Sequence, residues 1–236
     1  QAQPPPPWAR NNTLRRYEVN VVVDNSELRG APVILEFNPT HTNLFGQVEK
    51  EAQFGALQTD FTMIRPGSLH LANGGFLIIR VEELLRNPFS WEGLKRCLKE
   101  RKIIIEDVAE RMGFISTKSL IPEPIPLKVK TILLGNSMVY QLLYIQDPDF
   151  LELFKVKADF DSQMERTDDN VRDYAAFVCT LCHKENLLQM DRAGVAKIVE
   201  HSSRLADDQT KLSTRFAEIS DIIREANYWA NQEKVP

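Results

Sequence analysis

Residues Leu71 to Leu85 read LANGGFLIIRVEELL, and the fold turns on how this stretch is parsed. The pair Gly74-Gly75 leads into a mostly apolar run, FLIIRV, and then into two carboxylates, Glu82 and Glu83. A short apolar run bounded by turn residues reads as a strand of a parallel sheet covered on both faces. An acid closing such a strand is also where a divalent metal can be held against phosphates. Here Arg80 comes first, so the stretch is either a metal-holding strand, an impaired one, or an ordinary buried strand that ends in acid.

The surrounding pattern supports a sheet. Tyr17 to Asn25, YEVNVVVDN, is rich in β-branched residues and ends in a turn cluster, which predicts a strand. Ala31 to Pro39, APVILEFNP, predicts a second, IIIEDV from Ile103 a third, and KVKTILLGNS a fourth that stops at Gly135-Asn136. SWEGLKRCLKERK between them predicts a helix with Ser90 as N-cap and basic residues at its end. Strands alternating with helical patterns argue for an α/β sheet with crossover connections. From Asp168 onward the character changes to three helical segments, DNVRDYAAFVCTLCHKEN, DRAGVAKIVEHSSRLA and TKLSTRFAEISDIIREANYWAN, with no strand expected between them. The last carries an apolar stripe of Leu212, Phe216, Ile219, Ile223, Ala226 and Ala230.

Bulk properties narrow the function. A chain of 236 residues can form two modest domains, each with its own core. A formal net charge of −4 gives no electrostatic reason to expect nucleic acid as a partner, and no apolar run reaches a membrane span of ~18 residues. Three cysteines are too few for a disulfide framework and fit a reducing cytoplasm. Cys179 to His183, CTLCH, matches the haem-attachment pattern C-x-x-C-H. Helical periodicity puts Val171, Tyr174, Ala175, Val178 and Cys182 on one buried stripe, so neither haem nor zinc is expected there. Pro4 to Pro7 mark residues 1–13 as an extended linker; the chain starts without Met, which is compatible with a fragment.

The assembled residues resemble the AAA+ module of Lon-type ATP-dependent proteases, in the bacterial Lon-related branch. The resemblance rests on RRYEVNVVVDNSELRGAPVILEFNPTHTNLFGQVE, GALQTDFTMIRPGSLHLANGGFLI, LFKVKADFD and KLSTRFAEISDIIREANYWA, which together cover nearly the whole chain after the linker. It implies a P-loop-NTPase-like AAA+ α/β domain at 14–166, followed by a small α-helical lid domain at 167–236. It further implies a ring, hexameric by family likeness, that admits unfolded polypeptide to a downstream serine-protease domain in the cytoplasm. ATP and Mg²⁺ are the implied cofactors of the parent protein; neither nucleic acid nor membrane is implied as a partner.

Carried over by position, Asn136 matches the sensor-1 position, which helps place the attacking water; a plain strand-end turn is its alternative reading. Arg215 matches sensor 2, an arginine that reaches the phosphates from the lid. Lys155 is the match for the arginine finger, with a point charge in place of a bidentate fork. Phe45-Gly46 and Phe54-Gly55 are candidates for the aromatic-glycine loop that grips substrate, with a core-anchor role as the alternative.

The chain also departs from the family pattern. No phosphate loop of the form G-x-x-x-x-G-K followed by Ser or Thr occurs in it; the family carries that loop upstream, so either this is a later fragment or the loop is lost. Arg80 and Val81 stand where Asp and Glu are expected. A two-residue slip keeps strand facing, so Glu82 is a substitute acid lying about 6 to 7 Å further along, too far for unchanged geometry. The strand therefore reads as an impaired ATPase strand, with Arg80 expected to pair with Glu82 or a neighbouring acid. The Ser-Lys protease dyad has no counterpart, so this stretch is expected to cut no peptide bonds alone. A motor or gate of a Lon-like protease and a nucleotide-independent ring scaffold both remain open.

Overall fold

The computed structural model describes residues 17–53, 56–106 and 120–233. The chain divides into two compact units, Gln1–Lys155 and Val156–Pro236.

The first unit runs β1 (Val33–Glu36), α1 (His41–Phe45), β2 (Gln47–Val48), β3 (Glu51–Gln53), β4 (Ala56–Gln58), a 3-10 turn (Phe61–Met63), β5 (Ile64–Arg65) and α2 (Ser68–Leu71). It continues with β6 (Phe76–Arg80), α3 (Val81–Leu85), α4 (Pro88–Glu100), β7 (Lys102–Ile103), β8 (Ile125–Pro126), β9 (Lys130–Leu134), α5 (Ser137–Gln146) and α6 (Phe150–Leu153). Its centre is a parallel sheet in the order β1-β6-β9. Leu35, Ile78 and Ile132 lie side by side across it.

Because side chains alternate along a strand, one face takes Ile34, Leu77, Ile79 and Leu133 into a core with Leu44, Phe45, Leu69, Leu84, Leu94 and Leu143. The other face keeps Val33, Leu35, Phe76, Ile132 and Leu134 between 39% and 61% exposed. This corrects the expectation of a sheet covered on both faces: within the described residues, only one face is filled.

Close backbone approaches set the edges of this core. Gly46, at φ 80°, and Gly67 back onto each other, and a Cβ on Gly67 would fall 2.4 Å from the Gly46 nitrogen. Between α4 and the end of α5, Lys95 Nζ lies 2.9 Å from Asp147 Oδ2, which also accepts a 2.7 Å bond from Trp91 Nε1. Burial opposes the charge on Asp147, but the bonds from Lys95 and Trp91 outweigh it and hold the carboxyl below the usual range.

The second unit contains β10 (Gln163–Glu165), α7 (Asp168–Lys184), α8 (Arg192–Leu205), β11 (Lys211–Ser213) and α9 (Phe216–Glu233). Thr167 caps α7 by accepting from Asn170 N at 3.2 Å, and Asp191 caps α8 by accepting from Gly194 N at 2.7 Å. The core gathers Tyr174, Val178, Cys182, Ile198, Val199, Leu212, Ile219 and Ile223. Tyr174 donates its hydroxyl to Ser213 O at 2.9 Å, so the ring is buried without an orphaned polar atom. Cys182 is fully buried and Cys179 exposed, as the helical stripe predicts, and burial pushes the Cys182 thiol up.

Several element expectations need correction. Tyr17 to Asn25 forms no strand; Val19 is 86% and Val21 66% exposed, since β-branched residues do not make a strand without a neighbouring strand to pair with. Of IIIEDV, only Ile103 joins a ladder, opposite Ile125, and its last two residues lie outside the described ones. The helix expected from Ser90 is α4, which starts at Pro88, whose fixed φ suits the first helical position, and Ser90 is fully buried inside it instead of capping it. A strand does separate the last two helices: β11 pairs antiparallel with β10, and Leu212 reaches the core from the strand instead of from α9.

Candidate functional site

The carboxyl ends of parallel strands are where α/β sheets hold ligands. At the end of β6 the backbone turns at Arg80 (φ −76°, ψ 120°) directly into α3, so Val81 is helical and Glu82 and Glu83 occupy the first turn. Carboxylates there complement the helix dipole. The strand-facing argument for Glu82 is thereby corrected: it stands on a helix, where period-2 alternation no longer applies.

Beside it, β9 ends in Gly135-Asn136. A Cβ on Gly135 would fall 2.3 Å from Val81 Cγ1, so only glycine lets the two strand ends close up. Asn136 then reaches Glu82, whose Oε1 accepts from both the backbone N and Nδ2 of Asn136 at 3.3 Å. Asn136 Oδ1 accepts from Val139 N at 2.9 Å and caps α5. The structure thus joins two residues that sequence reasoning nominated separately, the displaced acid Glu82 and the sensor-1 match Asn136. Both polar ends of the Asn136 amide are engaged within the protein.

Arg80 does not find the expected carboxylate. Glu82 serves Asn136, Glu83 binds Arg86 at 2.8 and 3.0 Å, and among the described residues Arg80 forms no ion pair and stays exposed. Phe45 is 1% exposed, with Gly93 against its ring and His41 4.6 Å away between centroids. Phe45 and the adjoining Gly46 are therefore a core anchor and its tight turn, correcting the grip expectation for this pair. Phe54 and Gly55 lie outside the described residues; β3 and β4 pair antiparallel, with Gln53 opposite Ala56. A cleft of about 670 Å³ lies against β2, β3 and β5, where Arg65 and Glu49 pair at 2.9 Å.

Lys155 ends the first unit exposed, without an ion pair among the described residues. Arg215 belongs to the second unit, immediately before α9; its N donates to Ser213 Oγ at 3.2 Å, and its guanidinium lies 3.6 Å from Glu218. One polar cluster went unforeseen. At the end of β1, Glu36 accepts from Ser68 Oγ and, at 2.8 Å, from Asn38 N. An acid closing a strand ahead of Asn-Pro, in EFNPT, was the available signal.

This donor set does not fit Mg²⁺. A cation occupies the end of β6, the nearest acid there is bonded to Asn136, and no group of three or more His, Cys, Asp or Glu residues suited to a metal occurs among the described residues. Nor does any described helix have the length and apolarity to cross a membrane.

Comparison with known proteins agrees with this architecture. The family described as LonB-like, AAA domain, matches residues 29–161, and the archaeal LonB AAA+ ATPase LID domain matches 189–235. An archaeal Lon protease of Thermoplasma volcanium is 22% identical, over 86% of this chain and 31% of its own length. One of Archaeoglobus fulgidus is 24% identical, over 90% and 34%. A putative Lon protease homolog of Escherichia coli is 28% identical, over 70% and 28%. The chain thus spans about a third of the length of the curated relatives it matches. In fold alone it is similar to NtrX from Brucella abortus, with a TM-score of 0.53 and 11% identity over 85% of this chain and 40% of that one. A parallel α/β unit followed by a helical LID, matched in that order, means that the chain belongs to the LonB-like AAA domain family.

Proposed function

We propose that this chain is the AAA+ portion of a Lon-like ATP-dependent serine protease, of the bacterial Lon-related branch and acting in the cytoplasm. In this role it forms part of a homo-oligomeric ring that admits unfolded polypeptide to a proteolytic domain elsewhere in the same polypeptide. The observation that supports the reading is the placement of Asn136, the sensor-1 match, beside Glu82 at the carboxyl ends of β9 and β6, the end at which α/β sheets hold ligands. Arg215 from the helical unit and Lys155 are the remaining nucleotide-responsive candidates, and Phe54-Gly55 between β3 and β4 is the candidate substrate grip.

Arg80 favours a second reading, a scaffold that assembles and gates the ring without hydrolysing nucleotide. A guanidinium about 4 Å from Mg²⁺ opposes it by roughly 4 kcal/mol per charge product at an effective dielectric near 20. Casein degradation by the longer polypeptide with and without ATP separates the two. The motor reading expects ATP-dependent degradation by the longer polypeptide. Degradation indifferent to ATP selects the scaffold, and no degradation under either condition removes both. The 236-residue chain alone is expected to leave casein intact.

A further inference from the structure

The side chain of Asn136 is held from two directions by bonds of unequal quality. Asn136 Oδ1 accepts from Val139 N at 2.9 Å, an ordinary length for such a bond, and so caps α5. The bonds from Asn136 N and Nδ2 to Glu82 Oε1 are both 3.3 Å, long for donors that meet a carboxylate. An amide is planar, so fixing Oδ1 on Val139 N also fixes where Nδ2 points. Withdrawing Glu82 therefore frees two oriented donors, Asn136 N and Nδ2, without undoing the cap.

The backbone commits Glu82 to this contact. Arg80 stands two residues away and forms no ion pair among the described residues, yet the carboxylate serves Asn136. The turn at Arg80 puts Glu82 in the first turn of α3, against the end of β9. Gly135 leaves the room: a Cβ there would lie 3.5 Å from Glu82 Oε1, besides meeting Val81. A phosphate oxygen seeks the same arrangement that Glu82 Oε1 has, two N–H donors converging on one anionic oxygen. The two anions cannot share those donors, because like charges at that separation repel.

We propose that Glu82 is an internal anion that keeps Asn136 closed, and that nucleotide phosphate reaches Asn136 only after the Glu82 carboxylate swings away. The proposal rests on the functional reading above and names an autoinhibitory contact within that same site. It acts on the phosphate and is separate from the opposition of Arg80 to a metal ion.

Glu82→Ala in the longer polypeptide tests it, with Mg-ATP affinity read by calorimetry. Affinity is expected to rise roughly ten-fold, as for one unit charge removed from a solvent-facing contact. Glu83→Ala, which removes the neighbouring carboxylate bonded to Arg86, is expected to change affinity by less than about two-fold. Amide hydrogen exchange on the 236-residue chain gives a readout without nucleotide. In Glu82→Ala, Asn136 N is expected to exchange faster while Val139 N keeps its protection. Unchanged or weaker affinity in Glu82→Ala, an equal gain in Glu83→Ala, no measurable binding by either form, or lost protection at Val139 N overturns the proposal. ATP-dependent casein degradation with affinity unchanged by Glu82→Ala sinks this inference alone; a gain in affinity in a polypeptide that degrades nothing sinks only the functional reading.

Discussion

The two units solve the same burial problem in different ways. In the second, three helices and a two-stranded ladder close around Tyr174, Leu212, Ile219 and Ile223, each at most 1% exposed. In the first, a parallel sheet fills one face with Leu77 and Ile79, both at 0%, while Ile132 and Leu134 on the other stay 42% and 47% exposed. A small helical bundle can satisfy its apolar stripes internally. A parallel strand has two apolar faces, and covering both takes two layers of helix. Residues of the same type should therefore differ in worth according to the face they occupy.

The largest effect is expected in the closed core. Tyr174→Ala removes the central ring and its bond to Ser213 O, and should lower stability by about 3–5 kcal/mol in urea denaturation followed by fluorescence. A cost below about 1 kcal/mol would mean that the bundle repacks easily and that the contrast between the units is overstated.

The sharpest test lies within one sheet. Ile79→Ala should cost about 2–5 kcal/mol, whereas Ile132→Ala, 42% exposed, should cost under about 1 kcal/mol in the 236-residue chain. Equal costs would show that the second face is already buried in solution.

Acid should weaken the first unit selectively. His70 is 4% exposed, accepts from Gly67 N at 3.2 Å, and has its pKa lowered by burial. Its imidazole is therefore neutral when folded but protonates near pH 6.5 when unfolded. Stability is full above about pH 6.5 and is lost as pH falls toward the depressed folded value, by up to about 1.4 kcal/mol per pH unit. His70→Gln should flatten that slope between about pH 5 and 6.5. An unchanged slope would place the acid sensitivity elsewhere.

Helix caps give the smallest comparison. Thr167→Ala in the second unit should cost about 1 kcal/mol through the lost bond to Asn170 N. Asn136→Ala should cost about 1–2 kcal/mol, because Glu82 also loses the Nδ2 donor. If Asn136→Ala costs no more than Thr167→Ala in the same urea series, the contact with Glu82 contributes nothing to folding.

By itself, the sequence determined the architecture and the position of the site. The continuous apolar run of FLIIR, the strand KTILL and the helical stripe through Val171, Tyr174, Val178 and Cys182 are local signals, readable from run length and helix period without knowledge of the rest of the fold. The strand-end positions of Arg80 and Asn136 follow from the same runs. Pairings between distant residues were decided only by the tertiary structure: β10 with β11 across nearly fifty residues of chain, the shift of Leu212 from helix to strand, and the burial of Phe45 between α1 and α4. Whether Glu82 served a metal, Arg80 or Asn136 depended on where β6 turned into helix and on Gly135 letting β9 approach Val81. Side-chain partners across strands are set by register and backbone separation, which arise only once the chain has packed.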